Sequence, residues 1–277
     1  MSTFRFSQVN VFSADPLSGN PLAVVHAAEG LDDARMAALA RWTHLSETTF
    51  LLTPTDPDAD YRVRIFTPVG ELPFAGHPTL GSCRAWLAAG GKPRTTGVVS
   101  QQCGVGIVRI RADGSRLEFA APPLRCTGAL EPDVLAKIAE ALDVPFSGIV
   151  RHQWVDNGPN WCAVMLRSAR QVLSLKPDWA ALKPLKLGVM GPHDPGHDAA
   201  FEVRAFVGIG GYEDPVTGSL NAGLAQWLMR EGLAPTAYVA AQGTALQRAG
   251  RVHLRMDQDQ VWVGGDVVDV IQGELSL

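Results

Sequence analysis

Glu47, His77, Asp214 and Ser219 are side chains equipped for proton chemistry, and each stands in an unusual setting. A carboxylate can take a proton from carbon, an imidazole can hold or pass one, and an aspartate with a hydroxyl can orient a polar ligand. His77 lies in "ELPFAGHPTLG", and Asp214 and Ser219 lie in "EDPVTGSLNAG". Both stretches crowd Gly and Pro into the start of an apolar, helix-like run. A helix start exposes unpaired backbone N–H groups at the positive end of its dipole, so each reads as a receiver for an anion. In the first, Pro78 suits the first helical position and Gly76 lets a ligand approach the backbone closely. In the second, Gly218 and Ser219 occupy the comparable place, with Ser219 suited either to cap the helix or to bind ligand.

Glu47, in "HLSETTFLL", precedes β-branched and apolar residues that read as a strand entering the core. A carboxylate at the mouth of such a strand is desolvated, which raises its pKa toward the range of a general base. Plainer uses remain open for each residue. His77 also suits a structural hydrogen bond or a cap, Asp214 a turn, and Glu47 a solvated strand end.

The elements that would position these residues come in two similar sets. "YRVRIFTPVGELPFAGHPTLGSCRAWLAAGG" and "FEVRAFVGIGGYEDPVTGSLNAGLAQWLMREG" share an order: a β-prone strand, a Gly/Pro loop, an apolar helix and a glycine stop. Val63, Arg64 and Phe66 match Val203, Arg204 and Phe206 at an offset of 140 residues, whereas Trp86, Leu87 and Gly91 match Trp227, Leu228 and Gly232 at 141. That pattern predicts an internal duplication with one inserted residue. If the halves face one another, both helix starts serve one cleft that holds a small carboxylate and stabilises charge developing beside it.

Elsewhere, "LDDARMAALARW" and "EPDVLAKIAEALDV" read as amphipathic helices, and "ETTFLL", "GIVRIRA", "RLEFA", "CAVML", "RVHLRM" and "VWVGG" as strands. "DGSR" and "NGPN" read as turns. The matched Trp86 and Trp227 read as core packing. The expected halves are residues 1–125 and 126–265, with the strand-like stretch at 266–277 free to complete the first.

Composition narrows the function classes. The 277 residues are 46% hydrophobic and 19% charged, with a net charge of −4, which gives no electrostatic footprint for nucleic acid or an anionic membrane. Four scattered cysteines, Cys83, Cys103, Cys126 and Cys162, fit reduced thiols, and no leader or membrane-length apolar run is visible, so a cytoplasmic setting is expected. "GPHDPGHD" holds His193, Asp194, His197 and Asp198, but Pro195 and Gly196 break any helix that would put both rings on one face. A polar surface loop is expected there.

Together "FSADPLSGNPLAVV", "LSETTFLL", "RIFTPVGELPFAGHPTLG", "DNGPNW" and "EDPVTGSLNAG" resemble the PhzF-like family, named for an isomerase of phenazine biosynthesis. The resemblance implies a diaminopimelate-epimerase-like α/β fold. Its two pseudo-symmetric halves each wrap a curled, mainly antiparallel sheet around a central helix, with the active site in the cleft between them. It further implies a homodimer, a small carboxylate substrate, and chemistry without metal or organic cofactor. The family's catalytic residues fall on Glu47, His77, Asp214 and Ser219, and its substrate pocket on Asn20, Ser46, Gly76, Pro78 and Gly218. The reaction implied is a proton shift like that of trans-2,3-dihydro-3-hydroxyanthranilate isomerase, with Glu47 as base and proton carrier. Epimerisation, a lyase step or simple carboxylate binding on the same scaffold are the alternatives. Related racemases use two facing thiols; "FAGHP" and "EDPVTGS" contain none, so two-thiol racemisation is not expected.

Overall fold

The computed structural model describes residues 2–113 and 115–277, with Asp113 described by its backbone alone. The turn expected at residues 113–116 includes Gly114 and to that extent lies outside the described residues. The chain divides into two compact units, one of residues up to Ala120 with Gly264–Leu277, the other Ala121–Val263.

The first unit contains β1 (Thr3–Val11), β2 (Asn20–Val25), β3 (Thr48–Leu52), β4 (Tyr61–Thr67), β5 (Gly70–Leu72), β6 (Val98–Cys103), β7 (Gly106–Asp113), β8 (Arg116–Ala120) and most of the last strand, β16 (Gln260–Ser276). Hydrogen bonding follows the order β1-β2-β3-β4-β6-β7-β8-β16, and β16 returns to β1 from Val11↔Val267 to Thr3↔Ser276. Eight strands thus close into a barrel, which leaves no unpaired edge. Alternation sets the faces of β4: Val63 and Ile65 are buried while Arg62 and Arg64 point outward. Helix α1 (Asp33–Thr43), capped by Asp32 through Arg35 N–H at 2.8 Å, packs on β3 and β4. Helix α2 (Gly76–Ala88) touches β1, β2, β3, β6 and β8 and is buried from Gly76 through Cys83, so it fills the barrel. It approaches the wall so closely at Gly81 that a Cβ there would lie 2.5 Å from Leu22 Cδ2.

The second unit contains α3 (Pro132–Leu142), β9 (Arg151–Trp154), β10 (Trp161–Met165), α4 (Ala169–Ser174), α5 (Trp179–Leu182), β11 (Lys186–Pro192), β12 (Phe201–Val207), β13 (Tyr212–Asp214), α6 (Gly218–Arg230), β14 (Ala237–Gln242), β15 (Gly250–Asp257) and the start of β16. Its strand order is β9-β10-β11-β12-β14-β15-β16. Ile138 and Leu142 of α3, Val172 of α4 and Leu182 of α5 pack with Leu187, Val189 and Phe206 in one apolar cluster. Helix α6 is buried almost throughout, from Leu220 to Met229.

The duplication is written in the pairing. In the first unit β2–β3 is parallel, β3–β4 antiparallel, β4–β6 parallel and β6–β7 antiparallel. In the second, β10–β11, β11–β12, β12–β14 and β14–β15 follow the same alternation. Both helices are followed by a glycine in the left-handed region, Gly90 (φ 96°) and Gly232 (φ 66°), as a helix stop requires. Trp86 stacks on Tyr61 at 5.3 Å and Trp227 is buried, so both are packing residues.

The units also share one side-chain clamp. Arg64 makes two bonds to Glu71 (2.8 and 2.7 Å) with its guanidinium over Phe66; Arg204 makes two bonds to Glu213 (3.0 and 2.7 Å) with its guanidinium over Phe206. Each clamp joins a strand to its short hairpin partner, β4 to β5 and β12 to β13. The chain leaves each partner for a central helix. No helix among the described residues is long and apolar enough to cross a membrane.

Candidate active site

In the first unit, Glu47 sits between α1 and β3, one residue before the strand begins. His77 is the second residue of α2, and its ring is turned so that Nε2 lies 3.3 Å from Glu47 Oε2. That contact lacks the alignment of a hydrogen bond. Asn20, the first residue of β2 and fully buried, places Nδ2 at 3.4 Å from His77 Nδ1. With Asn20 donating, Nδ1 is the acceptor and the neutral ring carries its hydrogen on Nε2, facing the carboxylate; this tautomer follows from the hydrogen-bond network. Burial alone pushes the His77 pKa down to about 3, so the imidazole is neutral across the physiological range.

Asn20 is itself held by its approach loop. Asn10, buried in β1, accepts from Gly19 N at 2.8 Å and donates to Ser13 and Asp15 carbonyls at 3.2 and 2.9 Å. Gly19 is required because a Cβ there would meet Val11 O at 2.1 Å. Ser46 adjoins Glu47 and is partly exposed.

The helix start differs in detail from the sequence expectation. Pro78 is the third helical residue, after Gly76 and His77, and not the first. Proline is tolerated there because N–H groups of the first turn have no partner within the helix. Ala75 precedes the helix and offers no side-chain cap, so no capping side chain consumes the first-turn donors.

In the second unit, Asp214 ends β13 and Ser219 is the second residue of α6, after Gly218. Thr217, not Ser219, stands at the cap position, and it makes no side-chain cap bond. Its hydroxyl turns back instead, donating to Asp214 Oδ2 at 2.5 Å. Ser219 Oγ accepts from Trp161 Nε1 at 3.0 Å, and Ser219 O accepts from Asn157 Nδ2 at 2.8 Å. These partners come from "DNGPNW", whose turn is built on Asp156 Oδ1 accepting from Gly158 and Asn160 N–H at 2.7 and 2.6 Å. Sequence reasoning missed Asn10, Thr217 and Trp161 as individual residues. Trp161 and Thr217 at least lie inside quoted motifs, whereas Asn10 carries no local signal.

Several features lie apart. A cavity of about 510 Å³ beside β4 and β5, lined by Arg62, Arg64, Glu71, Gln102 and Cys103 among others, includes neither Glu47 nor His77. Cys83 is buried in the second turn of α2 with its thiol pushed well up, and burial pushes Cys162 up to about 12. Neither stands at a helix start. His193 and His197 stack at 3.7 Å, and His193 Nε2 lies 3.1 Å from the buried Glu202. Among the described residues no group of three or more His, Cys, Asp or Glu is arranged to hold a metal.

Two α/β units of one topology, each carrying acid–base side chains at the start of a buried central helix, define the diaminopimelate-epimerase class of fold. A hydroxyproline epimerase structure from Agrobacterium vitis shares that fold over 99% of this chain and 93% of its own, with a TM-score of 0.63 at 13% identity. The chain belongs to the PhzC-PhzF family of phenazine biosynthesis-like proteins, which it matches over residues 9–273. It is 35% identical to an uncharacterised isomerase of Mesorhizobium japonicum over the full length of both, and 34% identical to trans-2,3-dihydro-3-hydroxyanthranilate isomerase of Pseudomonas chlororaphis over 81% of this chain and 79% of the relative. A PhzF-family structure from Bacillus anthracis superposes over 100% of both chains with a TM-score of 0.85 at 20% identity, a likeness of fold. The chain is a PhzF-like isomerase.

Proposed function

We propose that this isomerase moves a carbon-bound proton on a small cyclic or amino carboxylate, as in the isomerisation of trans-2,3-dihydro-3-hydroxyanthranilate, with Glu47 as the base. The observation that carries the reading is Glu47 Oε2 at 3.3 Å from the Nε2 of a buried, neutral His77 whose other nitrogen is engaged by Asn20. A carboxylate beside a neutral N–H donor keeps its charge for proton removal, whereas an imidazolium there would hold it as an ion pair. Glu47 takes the proton from one carbon and returns it to another position of the conjugated system, so the double bonds move and no net proton is lost. Asp214 and Ser219 serve the same substrate on this reading. Ser219 Oγ already accepts from Trp161, which leaves its own proton to be given to a ligand oxygen. Asn20, Ser46, Gly76, Pro78 and Gly218 are assigned to substrate binding, with helix-start N–H groups as receivers for a carboxylate. We further propose a cytoplasmic homodimer, on the family resemblance and the modest net charge of −4.

The test is turnover in deuterated buffer, read by absorbance and product mass, with Glu47→Gln alongside. Loss of a positioned general base lowers kcat by about 10²–10⁴-fold and leaves substrate affinity within a few-fold. A fully active Glu47→Gln enzyme would end this mechanism. A folded wild-type protein that neither turns over this compound nor exchanges its carbon-bound hydrogen would remove the proposed substrate.

A further inference from the structure

Gln242, at the end of β14, is completely buried, and all four of its side-chain bonds can be assigned without ambiguity. Its Oε1 accepts from Thr217 N at 3.0 Å and from Asn221 Nδ2 at 2.7 Å. Its Nε2 donates to Asp214 O at 3.1 Å and to Thr217 Oγ1 at 2.9 Å. A backbone N–H can only donate and a carbonyl can only accept, so Thr217 N and Asp214 O together fix which end of the amide is oxygen. The direction of the next bond follows. Thr217 Oγ1 receives the Gln242 hydrogen, and its own single proton goes to Asp214 Oδ2 at 2.5 Å. The Thr217 carbonyl is anchored separately by Asn221 Nδ2 at 2.9 Å.

The first unit also has a Gln-to-Thr series without a carboxylate, at a different register: Gln101 pairs with Tyr61, whereas Gln242 pairs with Val203. Gln101, in β6, accepts from Tyr61 OH at 2.8 Å and donates to Thr79 Oγ1, in the first turn of α2, at 3.0 Å. Thr79 then spends its proton on the carbonyl of Ala75, 2.9 Å away in its own helix start. One Gln-to-Thr series ends on backbone and the other ends on Asp214.

We propose that Gln242 and Thr217 are positioning residues for Asp214: they commit the Thr217 hydroxyl proton to Oδ2, so that this carboxyl is held as a hydrogen-bond acceptor, ionised and fixed in direction at the start of α6. The inference rests on the reading that Asp214 serves the isomerase. A hydroxyl aimed at a carboxylate favours its charged form, and a charge-assisted bond of this length is among the stronger ones. Thr217→Val keeps the side-chain volume and removes the bond; Thr217→Ser keeps the bond.

The experiment is a pH titration of the full chain labelled with 13C at the aspartate carboxyl carbons, with Asp214→Asn to assign its signal. The Asp214 midpoint is expected to rise by about one pH unit in Thr217→Val and in Gln242→Met, and to return to the wild-type value in Thr217→Ser. With trans-2,3-dihydro-3-hydroxyanthranilate as probe, Thr217→Val should lower kcat about tenfold or more while KM moves less than about threefold, with Thr217→Ser restoring it. A residue that only caps the helix would lower the melting temperature and leave the midpoint unmoved. An unchanged Asp214 midpoint in a folded Thr217→Val protein overturns the proposal. Glu47→Gln separates the two claims. If it is inactive while the midpoint stays still, the positioning role falls and the isomerase reading stands. If it is active while the midpoint moves, the reading falls and the Thr217 bond to Asp214 stands.

Discussion

Replacing Arg204 by Met should cost far more than the same change at Arg64, although the two clamps look alike. Arg204 and Glu213 have side chains only 8% and 5% exposed, and the second guanidinium arm of Arg204 also donates to the carbonyls of Val172 and Leu175 at 3.2 and 2.8 Å. Removing the cation leaves a buried carboxylate without its partner, which costs about 3–5 kcal/mol, and strips a donor from two carbonyls. Arg64 and Glu71 are 19% and 42% exposed, and the third partner, Asp33, is 80% exposed. Water takes over there, and the loss should be about 1 kcal/mol. Replacing both Arg204 and Glu213 with Met should recover most of the loss, because the cost lies in the stranded charge. Urea unfolding followed by circular dichroism reads the differences directly. Since β13 ends in Asp214, the Arg204 variant should also lose turnover under conditions where it is still folded. Equal losses at Arg64 and Arg204, or a double variant no better than the single one, would refute the argument that burial sets the cost.

Stability should fall on acidification between pH 6.5 and 4.5. Burial lowers His77 to about 3 and His26 to about 4, so the unfolded chain takes up these protons first, and the stability they contribute is present above pH 6.5 and lost as the pH falls. Glu202, raised by burial to about 7, acts oppositely, contributing below pH 4.5 and losing it as pH rises through 7. These two protons against one leave a slope of about 1.4 kcal/mol per pH unit, to which His193, also lowered chiefly by burial, adds; it is measurable from urea midpoints, Glu202→Gln should steepen it, and a flat profile would contradict the assignment. Gly81→Val drives a side chain into Leu22 and Val9 and should cost about 1–3 kcal/mol by thermal unfolding, whereas a neutral result would mean that α2 sits more loosely in its barrel. Under native conditions a thiol reagent should label exposed Cys126 first and leave Cys83 and Cys162 untouched, with turnover retained; inactivation through either buried thiol would reopen thiol chemistry.

Much of the duplication was legible because it resides in matched local patterns, such as Val63, Arg64 and Phe66 against Val203, Arg204 and Phe206. The strand β11 was not. "KLGVMGP" is absent from the strands expected above, and its Gly188 is there so that Leu220 of α6 can pack, since a Cβ would meet Leu220 Cδ1 at 2.4 Å. Packing against a helix more than thirty positions away leaves no local periodicity to read. The same limit hid Gln242, whose partners lie 21–28 residues earlier, and the tautomer of His77, which depends on Asn20 being 57 residues upstream. Residue types at the helix starts were readable from the motifs; the hydrogen-bond directions that tune them depend on distant chain.

The return of β16 to β1 has a consequence for how the chain is made. The barrel of the first unit needs residues 264–276, which leave the ribosome only after all of Ala121–Val263. At about 5–20 residues per second, the unit that begins the chain waits on the order of ten seconds for the strand that closes it. During that interval β1 and β8 lack their β16 neighbour, and α2 lies in an open curl. The second unit, needing only four residues of β16, is therefore able to complete its sheet first. Until β16 arrives, chaperone capture or aggregation of the nascent chain should concentrate on the edge "TFRFSQVNV".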